Sequence, residues 1–560
     1  SLLACDAYKF LINSPLFGYS HSSFMGAIAD TLTEAGHNVT VLMPVMDMEQ
    51  KDKTGLKLTK NVIKISADPR VYETMRHEKE MLSHIWTSGN SVFGLLKRIK
   101  LTSTSVGFLN LNFEPFVRNA DLPRKKLSSF LRSSTLRTPS RSVIKDFERF
   151  LCIRRMSHDE KLMKMLENEK FDAGISEVFD ICGLGIFEIL KIPATIATFS
   201  GVHIDCVSKS IGEPITPGYV PGTWSTKGDR MNFFGRLENF VNVFLGNIFF
   251  TRTYDEEIKV FRAKFGQQFK GYDELISKAS FVFTNSNPYL DYPRPVLHKT
   301  VPIGGIAVAV DSKNNELSKS YTAKRWNKKL FRKTLLKVFE TMPETTFIWK
   351  YEEEGSTIAK HLKNVYLSTW VPQKALLADA RLTVFITHGG LGSTMELAYM
   401  GKPAILESQK YKLQRCNIIE LASFFQIPIF ADQTRNANMF SKHGCGIVLM
   451  KHQLEHPQKL RDSLIKIFND ASFSENARLL SEILRNQPIG PKQLLVKHSE
   501  FAARFGTIPN LDPYGRHLFL FEYYLIDVLL VCVFAFLLVV FVIVKLLKKC
   551  LSLRGKTKTE

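Results

Sequence analysis

The opening of the chain alternates between strand and helix patterns, and this alternation restricts the possible folds more than any other feature. Residues 8–12 have the apolar pattern of a buried strand, and a loop with proline and glycine follows. Apolar residues then recur at helical spacing up to Ala35, and Gly36 is suited to end the helix. Residues 39–43 form a second apolar run. A strand, a helix and a strand in this order predict a βαβ unit, which requires a parallel sheet.

The same alternation returns in the second part of the chain, where short apolar runs are separated by turns and helical segments. These runs cover residues 279–283, 345–349, 365–367 and 383–386. A chain of 560 residues is too long for one hydrophobic core. We therefore predict an α/β protein with two Rossmann-like doubly wound domains that face a cleft. The predicted limits are 1–284 for the first domain, 285–500 for the second, 501–522 for a linker, 523–545 for a transmembrane helix and 546–560 for a basic tail.

The C-terminal region has the composition of a membrane anchor. Residues 528–544 are apolar without interruption, and about 20 apolar residues span a bilayer core. A buried soluble helix is seldom apolar on every face. Basic residues begin at Lys545, which predicts that the tail after the helix is cytosolic. The chain is then expected to be a single-pass type I protein with a lumenal body and with membrane lipid as a partner. Lys556 and Lys558 resemble a dilysine signal that returns proteins to the endoplasmic reticulum.

Charge and cysteine content exclude several other classes. The net charge is +21, but the basic residues are spread along the chain in short clusters. No zinc-finger spacing, RNA-recognition signature or basic helix occurs, so we predict a solvated basic surface and no nucleic-acid binding. The 8 cysteines form no Cys-x-x-Cys pair, and neither a disulfide scaffold nor a metal site is predicted.

The segment between residues 370 and 396 has the chemistry of a nucleotide diphosphate site. Trp370 offers a flat face for a base, and Gln373 can bond to a base or ribose edge. A turn of small residues then joins a strand to a helix; it contains His388, Gly389, Gly390, Gly392 and Ser393. Backbone N–H groups at such a helix start bind phosphate, and Glu396 can accept bonds from ribose hydroxyls. The nucleotide would lie at the carboxyl ends of the strands.

Together these residues resemble the donor signature of the UDP-glycosyltransferase family, most closely the animal membrane-bound UDP-glucuronosyltransferases. The resemblance also covers residues 281–287, 510–515 and 522–527. It implies a GT-B fold, in which the first domain binds a small lipophilic acceptor and the second a UDP-sugar. It further implies sugar contacts from Asp432 and Gln433. The UDP-sugar is a co-substrate and no cofactor is implied, while a homo-oligomer is compatible with the sequence.

Transfer of a sugar to an alcohol needs a base, because the hydroxyl alone is a weak nucleophile. Histidine suits this role near neutral pH, and a carboxylate behind it can hold its tautomer. The resemblance places the base at His21, after the first strand. Glu177 stands where the family usually has aspartate, and Asp180 is the alternative partner. The expected reaction is an inverting transfer, with glucuronic acid favoured as the sugar and detoxification as the role.

Two departures from the family pattern predict impaired activity. Residues 407–426 interrupt a segment that the family reads continuously, which is expected to displace Asp432 and Gln433 from the sugar. Residues 311–334 are too polar for the central strand expected there. A catalytically impaired UDP-binding membrane protein, or a chain with a gene-model error, is therefore one alternative, and a UDP-glucosyltransferase is another. A Rossmann dehydrogenase is disfavoured because no Gly-x-Gly-x-x-Gly motif follows the first strand.

Overall fold

The computed structural model describes residues 7–66, 159–308, 329–351, 353–369, 371–408, 432–450, 453 and 456–556. We refer to residues 7–308 as the N-terminal half and to residues 329–487 as the C-terminal half. Each half is a layered α/β body with parallel strands, as the sequence predicts.

The N-terminal half is built on a 7-stranded parallel sheet of order β3-β2-β1-β4-β5-β6-β7. Its strands are β1 (Lys9–Asn13), β2 (Asn38–Val45), β3 (Val62–Ser66), β4 (Ala173–Glu177), β5 (Ala194–Phe199), β6 (Phe281–Thr284) and β7 (Thr300–Pro302). Its helices are α1 (Tyr19–Glu34), α2 (Glu160–Glu169), α3 (Cys182–Ile189), α4 (Asp205–Ile211), α5 (Phe233–Phe265) and α6 (Tyr272–Ser277).

The predicted βαβ unit is confirmed at the start of this sheet. Strand β1 pairs with β2 on one side and β4 on the other, and its apolar residues are buried. Helix α1 ends just before Gly36, whose φ of 92° lies in the left-handed region that favours glycine. Because β1, β4 and β5 are neighbours and parallel, their carboxyl ends open at the same edge of the sheet.

The first sheet extends past the predicted domain limit at residue 284. Strand β7 lies beyond this limit and pairs with β6. Helix α13 (Pro491–Phe505) also packs against β4 to β7 and α1, with Leu495 and Ala502 in the core of the N-terminal half. The strand pattern of residues 300–302 is too short to be recognised, and α13 is separated from this sheet by the whole C-terminal half.

The C-terminal half contains two separate parallel sheets among the described residues. One sheet joins β8 (Phe347–Lys350) to β9 (Val365–Ser368), and the other joins β10 (Phe385–Thr387), β11 (Ala404–Ser408) and β12 (Gly446–Met450). The helices are α7 (Lys329–Glu340), α8 (Gln373–Ala378), α9 (Leu391–Met400), α10 (Gln433–Lys442), α11 (Pro457–Asn469) and α12 (Ser472–Arg485). No strand between 329 and 450 that the structure describes joins β8 to β10.

The polar stretch that breaks the family pattern at 311–334 falls mostly on residues 309–328, which lie outside the described residues. The two sheets nevertheless share one hydrophobic cluster. Phe347 of β8 and Ile405 of β11 both belong to it, together with Phe339 of α7 and Leu464 of α11. Packing of side chains therefore holds the two sheets in one body where backbone pairing does not.

The chain ends in a short helix α14 (Leu520–Tyr523) and a long helix α15 (Ile526–Lys556). Residues Ile526–Lys549 of α15 are long and apolar enough to cross a membrane, and none of this stretch is buried in the protein. The helix fits a single membrane span. The segment that precedes these two helices is bonded to the N-terminal half: Asp512 accepts a hydrogen bond from Lys299 at 2.5 Å, and Lys299 also donates to the Ser277 carbonyl at 2.6 Å.

Candidate active site

His21 lies in the first turn of α1, directly beside the carboxyl end of β4. Its Nδ1 is 2.9 Å from both carboxylate oxygens of Glu177, the last residue of β4. The side chain of Glu177 is 2% exposed and that of His21 is 21% exposed. When Nδ1–H donates to this buried carboxylate, Nε2 is the ring nitrogen that can accept a proton. The structure therefore brings together the two residues that the sequence predicts as base and partner.

Ser200, which sequence reasoning missed, completes this group. It follows β5, and its Oγ lies 2.9 Å from His21 Nδ1. Its backbone N–H donates to Glu177 Oε1 at 2.9 Å. The only available signal would have been the adjacency of β4 and β5, since residues that end neighbouring parallel strands meet at one edge.

The pKa values of this pair shift in opposite directions, as in an ion pair. Burial opposes protonation of His21, but the carboxylate of Glu177 outweighs it, so the pKa of His21 is raised. Burial alone would raise the pKa of Glu177, but His21 and the hydrogen bonds from Ser200 lower it. Glu177 is therefore ionised, and it stabilises the protonated form of His21.

Asp180, the alternative carboxylate, is bonded elsewhere. Its Oδ1 accepts a hydrogen bond from the Cys182 N–H at 3.0 Å. Burial and the nearby Glu177 raise the pKa of Asp180 to about 7, against the opposing effects of the Cys182 N–H and His21. The geometry thus pairs His21 with Glu177.

One face of α5 binds the loop that follows Glu177 through two hydrogen bonds and a ring contact. Tyr254 Oη donates to the Val178 carbonyl at 2.5 Å, and Glu257 Oε2 accepts the Ile181 N–H at 2.6 Å. Phe250 packs edge-on against Phe179 between them, with ring centroids 5.7 Å apart. These contacts, which the sequence pattern does not indicate, fix the backbone next to the carboxylate. Burial and the neighbouring Asp180 also raise the pKa of Glu257 well above its usual range.

The predicted nucleotide residues also lie together, on helices of the C-terminal half. Gln373, the first residue of α8, donates to Glu396 Oε2 at 2.7 Å and to Ser393 Oγ at 3.2 Å. Lys374, which was not predicted, has its Nζ 3.9 Å from Glu396 Oε1. Burial raises the pKa of Glu396 despite the opposing effects of Lys374 and Gln373. Trp370 lies outside the described residues.

The glycines of the turn between β10 and α9 differ in how strictly the structure requires them. Gly389 has a φ of 81°, and a Cβ there would lie 2.8 Å from the Gln433 carbonyl oxygen. A Cβ on Gly390 would lie 2.8 Å from Nε2 of His388, whose ring covers this turn. A Cβ on Gly392 would meet nothing within 4 Å. Glycine is therefore required at 389 because α10 begins directly against it.

Asp432 and Gln433 lie at the start of α10 beside the glycine turn, although the interruption at 407–426 predicts that they are displaced. Burial lowers the pKa of His21, whereas the charge of Glu177 and, less strongly, that of Asp432 just before α10 raise it. Gln433 Oε1 is buried and has no hydrogen-bond partner among the described residues. Strand β11 keeps its full pairing with β12 to Ser408, and residues 409–431 lie outside the described residues. The turn into α10, rather than a continuous strand, sets the position of the pair.

The described residues contain no group of three or more His, Cys, Asp or Glu side chains that could hold a metal ion.

Two parallel α/β halves, with a histidine–carboxylate pair on one and a helix-start glycine turn on the other, define the GT-B class of glycosyltransferases. A family model described as "UDP-glucoronosyl and UDP-glucosyl transferase" matches residues 12–325 and 327–559, and the chain belongs to this family. Transfer of a sugar from a UDP-sugar is the activity of the family, so the chain is a hexosyltransferase that binds a UDP-sugar donor.

Curated relatives agree with the resemblance seen in the sequence. A putative UDP-glucuronosyltransferase of Caenorhabditis elegans, ugt-47, is 25% identical, with 96% of this chain and 92% of the relative covered. Human UDP-glucuronosyltransferase 1A4 is 25% identical over 73% of this chain and 75% of its own length. Among solved structures, Phytolacca americana UGT2 complexed with UDP-2fluoro-glucose and pterostilbene is 14% identical, with coverages of 89% and 100% and a TM-score of 0.49.

Proposed function

We propose that this chain transfers glucuronic acid from UDP-glucuronic acid, with inversion, to hydroxyl groups of small lipophilic acceptors. The observation that carries the proposal is the His21–Glu177–Ser200 group, which faces Asp432 across the two halves. No cofactor is needed, because the UDP-sugar supplies the leaving group.

His21 acts as the base in this proposal. Its Nε2 takes the acceptor hydroxyl proton while the oxygen attacks the anomeric carbon opposite the departing UDP. The bond from that carbon to the diphosphate breaks, and UDP leaves with the electron pair. Glu177 stabilises the imidazolium that forms, which is the role a carboxylate plays behind a catalytic histidine. His388 and the N-terminus of α9 stabilise the charge that develops on the diphosphate.

The donor would be held by residues of the C-terminal half. We assign the nucleotide to Trp370, Gln373, His388, Gly389, Gly390, Gly392, Ser393 and Glu396. The sugar is assigned to Asp432 and Gln433. The buried Gln433 Oε1, which has no partner among the described residues, supports this assignment because a sugar hydroxyl could donate to it.

Aromatic side chains around His21 support a lipophilic acceptor. The ring centroids of Phe17 and Phe179 lie 4.3 Å and 5.3 Å from that of His21. Phe199 and Phe250 continue the aromatic surface from Phe179, at 6.5 Å and 5.7 Å. Flat apolar walls next to a base favour ring-bearing alcohols and phenols, which agrees with a role in detoxification.

We further propose that the chain is a type I protein of the endoplasmic reticulum, with both halves in the lumen. The apolar helix α15 supports a single span, and the lysines that begin at Lys545 support a cytosolic tail.

A UDP-binding protein without turnover is the second candidate, and the separation of β8 from β10 among the described strands favours it. Membranes that contain the full-length chain would be incubated with a phenol and with UDP-glucuronic acid or UDP-glucose. A β-linked glucuronide from the α-linked donor is the expected product. A glucoside as the only product would show that UDP-glucose, and not UDP-glucuronic acid, is the donor. UDP binding without either product would favour the second candidate.

A further inference from the structure

Helix α10 belongs by sequence to the C-terminal half, but one of its faces is bonded to the N-terminal half. The contacts recur along the helix: Arg435 with Asp291 and Pro221, Asn438 with the Thr226 carbonyl at 3.1 Å, and Lys442 with Asp229 at 2.5 Å. The helix therefore joins the halves directly after the proposed sugar contacts.

Arg435 makes the most buried of these contacts. Its side chain is 1% exposed, and that of Asp291 is 7% exposed. Nη2 donates to Asp291 Oδ1 at 2.7 Å, and Nε donates to the Pro221 carbonyl at 3.1 Å. The guanidinium carbon also lies 5.2 Å from the ring centroid of Tyr292. A buried guanidinium with a planar fork of donors permits little movement, because leaving this charge unpaired is costly.

The position of Arg435 along α10 determines what this contact fixes. It lies in the first turn of the helix, and the same turn begins with Gln433 and follows Asp432. Its partner Asp291 belongs to the half that carries His21. We propose that Arg435 is a positioning residue, whose buried pair with Asp291 sets Asp432 and Gln433 on the donor sugar in register with the base. This inference rests on the proposed function of those two residues.

Helix α10 provides its own matched control. Lys442 is paired with Asp229 across the same interface, but at the other end of the helix and with side chains 36% and 28% exposed. Exposed ion pairs contribute little to stability. A variant of Lys442 therefore removes a cross-interface charge and its contact with the Tyr292 ring at 5.1 Å, while the Arg435–Asp291 pair is kept.

The test measures binding of UDP, UDP-glucuronic acid and UDP-glucose to the full-length chain in detergent, by calorimetry. The variants are Arg435→Lys, Asp291→Asn, Lys442→Ala and Gln433→Ala. We expect Arg435→Lys and Asp291→Asn each to weaken binding of the preferred UDP-sugar about tenfold. Binding of UDP, which has no sugar, should change less than about twofold and also verifies that each variant is folded. Lys442→Ala should leave both affinities unchanged.

The double variant of Arg435 and Asp291 should bind the UDP-sugar no more weakly than either single variant, because the two changes remove the same interaction. Equal losses for UDP and UDP-sugar, or losses no larger than that of Lys442→Ala, would overturn the positioning role. Gln433→Ala separates the two proposals: if it weakens UDP-sugar binding while Arg435→Lys does not, only the role of Arg435 fails. If Gln433→Ala does not change UDP-sugar binding, the proposed sugar site itself fails.

Discussion

The two halves of the molecule hold their site residues by different means. In the N-terminal half, β1, β4 and β5 are hydrogen-bonded neighbours, and His21, Glu177 and Ser200 follow or end them. In the C-terminal half, the described strands form two separate sheets, and Gln373 at the start of α8 meets Glu396 in the middle of α9.

This difference separates what backbone pairing fixes from what side-chain packing fixes. The register of a parallel sheet determines the relative positions of residues that end its strands. The positions of the helices in the C-terminal half depend instead on the hydrophobic cluster that contains Phe347 and Ile405, and on contacts with the N-terminal half. We therefore expect chemistry at His21 to be robust to changes in the C-terminal half, and donor binding to depend on both.

The largest effect is expected from removal of the base. His21→Ala should lower kcat/KM by about 10²- to 10⁴-fold, because general-base catalysis contributes this much. UDP binding, which we assign to the other half, should not change. The control is His298→Ala, which alters an exposed histidine. Unchanged turnover in His21→Ala would remove the N-terminal half from the chemistry.

Glu177→Gln should reduce the plateau of kcat/KM by about 10- to 100-fold, since the imidazolium loses a buried partner. The carboxylate raises the pKa of His21 against the effect of burial, so its neutralisation should lower that pKa. The base works in its neutral form, and activity falls as pH drops below this pKa. The acidic limb of the pH profile should therefore move to lower pH in Glu177→Gln; a limb that stays in place would contradict the pairing.

Hydrogen exchange tests the comparison of the sheets themselves. Strands β1 and β4 are bonded on both sides, whereas β8 and β10 are each bonded on one side among the described residues. Amides of β8 and β10 should be at least about tenfold less protected than those of β1 and β4, measured by mass spectrometry of peptides. Equal protection would mean that another part of the chain completes the second sheet.

The smallest effect is expected at the grip of α5 on the loop after Glu177. Tyr254→Phe removes the hydroxyl that donates to the Val178 carbonyl. It should lower kcat about three- to tenfold and the free energy of unfolding by about 1 to 2 kcal/mol. Arg252→Ala, an exposed change on the same helix, is the control. A loss of stability with unchanged kcat would show that the hydroxyl only holds the fold.

Local pattern was sufficient for much of the fold. The βαβ unit is confirmed, and α9 ends at Met400 with Gly401 in the left-handed region at φ 65°. Apolar periodicity and glycine placement report such features directly. Strand β7 was not recognised, because Thr300–Pro302 has no apolar run of its own and depends on pairing with β6.

The structure brings His21 to Glu177 and Gln373 to Glu396, which are residues that the sequence predicts together, while their roles stay predictions. Ser200 could not be found this way, since it meets His21 only through the order of the strands. Arginine side chains usually lie at the surface, yet tertiary contacts bury that of Arg435. The displacement predicted for Asp432 assumed that a strand carries it, whereas a helix start does.

Helix α13 has a consequence for how the protein is anchored. Its residues Leu495 and Ala502 are part of the core under β1, and the segment after it is tied down through Ser280 and Lys299. The C-terminal half is thus inserted in the sequence between two portions of the N-terminal α/β body. That body carries His21, and its second portion, which begins at Pro491, leads into helix α15. A version that lacks α15 should therefore keep residues through Asp512, because an earlier end would remove the carboxylate that Lys299 binds.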